Sequence, residues 1–131
     1  MSWLNSIADY LTTNSLGTQG TDLFINTMPD NTALVTTLSE YEGSFNETFG
    51  SGMAISVPSL QVRVRGAAED YATPRARIRA IQDLLLAVTN TTINGTTFLR
   101  IRPQSTVLNL GQDERLRWEF SLNFEVTIAG I

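Results

Sequence analysis

A chain of 131 residues with a net charge of −4 is large enough to fold as a single domain, 1–131, around a sizeable core. It has no cysteine and no histidine, which removes disulfides, thiolate metal sites, Cys–His dyads and His-dependent triads and leaves only carboxylate, Ser/Thr or Tyr chemistry. Charge is segregated: residues 1–62 hold six acids and no base (−6), and the remainder holds nine arginines against seven acids (+2).

The start lacks a basic n-region, and no apolar run approaches the roughly 20 residues of a membrane span, so a soluble chain with no membrane partner is expected. Residues 2–14 are predicted as an amphipathic helix, with Leu4, Ile7, Ala8 and Leu11 on one face, Ser2 as its cap and Gly17 as its stop. Residues 22–27 and 33–39 read as strands joined into a hairpin by Met28, Pro29, Asp30 and Asn31. The stretch 40–58 then reads as a long flexible loop. Its glycines loosen it, while Tyr41, Phe45 and Phe49 make it sticky. That combination describes an arm that orders on a partner or, equally, a loop folded back on its own core.

Residues 60–66 alternate as a strand, with Val62 and Val64 inward and Arg63 and Arg65 outward. Thr73 as cap and Pro74 at the first helical position open a helix to Val88, burying Ile78, Ile81, Leu84, Leu85 and Val88. Its other face carries Arg75, Arg79, Asp83 and Leu86. First-turn arginines oppose the helix dipole at about 0.3–1 kcal/mol each, a frustration that a neighbour's acids would relieve, though a solvated face has the same composition. Asn94-Gly95 fits either a hairpin or a helix-to-strand loop; strands follow to Pro103 and over 106–110, with a turn at 111–114.

Residues 116–128 alternate without a break, seven apolar with six polar. At about 3.3 Å per residue this strand would reach roughly 43 Å, beyond the roughly 36 Å diameter of a domain this size. Either a bulge bends it or another subunit covers part of it. The elements together predict an α+β fold: a largely antiparallel sheet with two helices packed on one face. Its core would hold Leu4, Ile7, Leu11, Val62, Val64, Ile81, Leu85, Trp118, Phe120, Leu122 and Phe124.

No catalytic constellation, metal site or cofactor motif emerges. Gly17-Thr18-Gln19-Gly20 lacks the Lys-Ser/Thr of a phosphate loop, and the paired carboxylates sit in turns. Outward Arg63, Arg65, Arg100 and Arg102 near Phe98 are also the composition of a nucleic-acid-binding sheet, the alternative reading. Glu119 and Glu125 on the corresponding face favour cross-strand ion pairs instead. Segregated charge points to contact between copies, with Arg63, Arg65, Arg75, Arg79 and Leu86 facing Glu40, Glu42, Glu47, Phe45 and Phe49 of a neighbour.

In their order and spacing, 60–66, the helix 74–88, 94–98 and 110–114 leading into 118–125 resemble the minor capsid and tail-terminator (tail-completion, head-tail joining) proteins of long-tailed bacteriophages. The resemblance covers roughly 55–128. It implies a structural virion protein, assembled in the host cytoplasm, that forms a homohexameric ring, caps the finished tail tube and joins it to the head. Its partners would be its own copies, the tail tube protein and the head connector or head-completion protein, with DNA passing only in transit. Where that family commonly has a glycine after the Asp-Glu pair, this chain has Leu116.

Overall fold

The computed structural model describes residues 2–30, 33–46 and 55–129, with 41–46 described by their backbone alone. Alternation at the end of the chain produces its central strand: β7 (Arg117–Ala129) buries Phe120, Leu122, Phe124, Val126 and Ile128 on one face. Around it the chain runs α1 (Trp3–Thr13), β1 (Leu23–Ile25), β2 (Val35–Asn46), β3 (Ile55–Ala68), α2 (Ala72–Leu86), β4 (Thr89–Ile93), β5 (Thr96–Pro103) and β6 (Leu108–Gln112). The strands form one sheet in the order β1-β2-β3-β7-β5-β4, with β6 also pairing β7. Every pairing is antiparallel except β1 with β2, so the arrangement is α+β on a mostly antiparallel sheet.

This topology resolves the overlong strand within one chain. On one side β7 is matched by β3, from Ile55↔Ala129 to Ala68↔Arg117. On the other, β6 covers its first half and β5 its second. Two strands laid end to end flank one long one, and register shifts at 65/68, 98/100 and 109/111 supply the bends.

Two expectations are corrected. β1 and β2 are parallel, with Leu23↔Thr36 and Ile25↔Leu38, and not a hairpin. Asn26, at φ 59, turns the chain, and the following segment doubles back across the polar sheet face. There the Thr27 carbonyl accepts the Thr37 hydroxyl at 2.9 Å and the Pro29 carbonyl accepts Arg65 Nη2 at 2.6 Å, so β2 re-enters in the direction of β1. Second, most of the predicted loop 40–58 is ladder: β2 and β3 stay paired to Asn46↔Ile55, with a bulge between Tyr41 and Ser44. The remainder, 47–54, lies outside the described residues. Of the two readings open for Asn94-Gly95 the hairpin holds: Asn94 (φ 51) and Gly95 (φ 81) close a two-residue turn between β4 and β5, so that four strands and not three follow α2.

Helix ends also differ in detail. Ser2 caps α1 by accepting the Asn5 N–H, but the stop is not Gly17. Ser15, at φ 62, takes the left-handed position, with Leu16 N–H bonded to the Leu11 carbonyl and Ser15 N–H to that of Thr12. At α2 the cap is Asp70 rather than Thr73: its Oδ1 accepts the Thr73 N–H at 3.1 Å and brings a negative charge to the helix start. Pro74 is buried against Gly66, where an added Cβ would lie 2.7 Å from the proline ring.

The core joins Leu4, Ile7, Ala8 and Leu11 of α1 and Ile78, Ile81 and Leu85 of α2 to Leu38, Leu60, Val62, Val64, Phe98, Ile101, Phe120, Leu122 and Phe124 of the sheet. Trp118 packs at its margin, half-buried.

Candidate assembly surface

Residues opposite one another in neighbouring strands share a face, so the register gives the polar side of the sheet directly. Thr37↔Arg63↔Ser121 and Val35↔Arg65↔Glu119 are two of its rows. Arg63 donates to Glu119 Oε2 from Nε at 3.2 Å and from Nη2, and Arg102 pairs with Glu125 at 3.3 Å. Arg65 is 6% exposed. Burial, and next the neighbouring charge of Arg117, pull its pKa below the ordinary arginine value.

Below these rows lies an ion cluster that the periodicity of the sequence did not reveal. Arg117 donates to Asp113 Oδ2 from Nε and Nη2, at 2.8 and 2.7 Å. Asp113 Oδ1 meanwhile accepts the backbone N–H groups of Arg115 and Arg117. Asp30 joins the cluster, 3.0 Å from Arg115 Nη1 and 2.9 Å from Arg117 Nη1. The Arg117 side-chain bonds come first among the causes that hold the Asp113 carboxyl down at about 2, and the same bond raises Arg117. Asp30 belongs to the acidic half of the chain and both arginines to the other, so charge segregation along the sequence is partly answered by folding.

The candidates for contact between copies are therefore placed unequally. Arg63 and Arg65 are engaged inside their own subunit. On the outer face of α2, Arg79 reaches Asp83 at 3.5 Å with both side chains more than half exposed, and Leu86 is 42% exposed. Arg75 is half-buried and Glu40 exposed, and neither has an ion-pair partner among the described residues. Glu42 and Phe45 lie on the backbone of β2; Glu47 and Phe49 fall outside the described residues. The sequence reading missed Tyr71, Leu108, Leu110 and Leu116, the other large apolar side chains left exposed among the described residues.

This surface offers charge and apolar contact rather than reactive groups. Among the described residues no three His, Cys, Asp or Glu side chains gather as a metal site, and no helix is long and apolar enough to cross a membrane. Phe98, the aromatic needed for a nucleic-acid platform, is fully buried.

No curated protein matches this chain. A solved structure described as the virion of a native gene transfer agent (GTA) particle contains a chain of the same fold: 16% identity, TM-score 0.69, covering 97% of this chain and 94% of that one. The family model described as bacteriophage tail terminator protein matches residues 10–129. The chain thus belongs to the bacteriophage tail terminator family, whose members are structural proteins of the virion.

Proposed function

We propose that copies of this chain close into a ring, six in number, that caps a completed tail tube and presents a surface for the head connector or head-completion protein, with DNA passing through it only in transit. Assembly takes place in the host cytoplasm. The observation that carries this reading is the family match over 10–129. It is supported by Glu40 on β2 and Arg75 on α2, which have no ion-pair partner among the described residues, and by Arg79, whose pair with Asp83 is exposed. Glu42, Glu47, Phe45 and Phe49 of that hairpin and Leu86 of α2 complete the contact proposed between neighbours. Arg63 and Arg65 drop out of it, because folding has already used them.

Nucleic-acid binding is not the reading favoured, because Arg63 and Arg102 are answered by carboxylates across the strands. Light scattering across a concentration series tests the ring, and electron microscopy of tails lacking and regaining the protein tests the cap. Particles of one subunit mass at every concentration, or tails of normal length without the protein, would refute it.

A further inference from the structure

The sheet ends in two unpaired strand edges on opposite flanks. β1 stops at Ile25↔Leu38, so from Ser39 to Asn46 no strand among the described residues pairs with the outer side of β2. On the far flank, beyond β3 and β7, no strand among the described residues pairs with the outer side of β6. β6 is Leu-Asn-Leu-Gly-Gln, without a charge, and holds Leu108 and Leu110 at 46% and 51% exposure. The other edges are guarded. The Leu23 carbonyl of β1 is taken by the Gly20 N–H, and β4 is threonine-rich, with Asn94 just beyond its end tied to Asp9 at 2.6 Å. β6 has a bulge between Asn109 and Gly111 but carries no charge, and an unpaired edge of that composition is a site for strand addition.

We infer that the β6 edge of one subunit receives the β2 edge, 39–46, of the next copy, so that the sheet continues from subunit to subunit. This rests on the ring reading above. The occupant follows from symmetry and charge. Joining β6 to β6 would be isologous and stop at two copies, whereas two different edges on opposite flanks make a head-to-tail contact that propagates until it closes. The β2 segment carries Glu40 and Glu42 and no base. On the same flank as β6, Arg102 and Arg115 are held by Glu125 and Asp30 of their own subunit, whereas exposed Arg100 has no ion-pair partner among the described residues. The strand ladder would supply affinity, and burial of Leu108 and Leu110 with these opposed charges would supply the choice of edge.

The test combines a blocked edge with a trapped one. Leu108→Lys with Leu110→Lys places two charges where half-exposed leucines stand, so the subunit keeps its circular dichroism spectrum while light scattering reports monomer at concentrations where wild type forms the ring. Because the natural chain has no cysteine, Glu40→Cys combined with Leu108→Cys or with Leu110→Cys gives an unambiguous trap. Mild oxidation yields a covalent ladder up to the ring number with a paired variant and none with any single one. A lysine variant that still forms rings, or a single Leu110→Cys that traps dimers, overturns the edge assignment while leaving the ring intact. Wild type that never exceeds one subunit mass overturns the ring reading, and this contact with it.

Discussion

Arg117 holds Asp113 by two side-chain bonds across the β6–β7 turn, and that pair fixes where the central strand begins. The Asp113 carboxyl lies at about 2, below its ordinary 3.8. A carboxylate with a depressed folded-state pKa adds stability above its unfolded value and loses it as pH falls through the folded one. Thermal melts should therefore drop between pH 3.8 and about 2, and Asp113→Asn should flatten the profile over that window while lowering stability at neutral pH. An unchanged profile in the variant would assign the acid sensitivity to other carboxylates.

Phe120 is 1% exposed and meets Tyr71 edge-on, ring centroids 5.4 Å apart. Truncating a buried aromatic removes transfer energy and leaves a cavity, so Phe120→Ala should cost about 3–5 kcal/mol in urea unfolding. A loss below about 1 kcal/mol would mean that the site collapses around the smaller side chain.

Period-2 alternation was enough to locate β3 and β7, because a face that must stay dry repeats every second residue. The i, i+3, i+4 pattern likewise located both helices. What it could not carry was partner choice. Nothing in the sequence of 22–39 distinguishes a tight hairpin at Pro29-Asp30 from a strap that doubles back and re-enters parallel; the difference lies in the long-range bonds from Thr37 and Arg65. Gly43 read as loop although it lies within β2, since a ladder is held by backbone bonds to a distant strand and not by local propensity; Gly50 and Gly52 fall outside the described residues. For the assembly surface, Arg63 and Arg65 were visible as outward-facing arginines, but not the carboxylate and carbonyl that occupy them.

Among the non-glycine residues held in left-handed conformations are Ser15 and Leu116, both at φ 62. Leu116 is the position where the resemblance leads one to expect glycine, and it is nearly half exposed, so little packing offsets the strain. Leu116→Gly and Ser15→Gly should each raise stability by about 1 kcal/mol, or roughly 3 °C in Tm. A lower Tm would show that unfolded-state entropy outweighs the relieved strain.

Gly66 is constrained by space, and not by its backbone angles. A Cβ there would stand 2.7 and 2.8 Å from the Pro74 ring and 3.0 Å from the Asp70 carbonyl, the residue that caps α2. Gly66→Ala should destabilise by about 1–3 kcal/mol by lifting the helix start from β3, read as a loss of hydrogen-exchange protection in the first turn of α2. Unchanged protection there would mean that the proline ring yields without moving the helix.

Arg75 presents positive charge in the first turn of α2, where the helix dipole disfavours it, and Arg79 follows one turn later on the same side. Asp83 answers Arg79 only across an exposed 3.5 Å pair, a contact worth about 0.3–0.5 kcal/mol. Acids of a neighbour's hairpin would relieve both, and a ring repeats each such contact at every interface, so small terms accumulate. Arg75→Glu with Arg79→Glu should leave circular dichroism unchanged, shift the mass toward monomer and reduce the joining of heads to tails in a complementation assay. In 1 M salt, where the Debye length is roughly 3 Å, wild type should weaken in the same direction while apolar contacts persist. A double variant that keeps wild-type mass and joins heads normally would leave this helix face as solvated surface and place the whole of the contact between subunits on the strand edges.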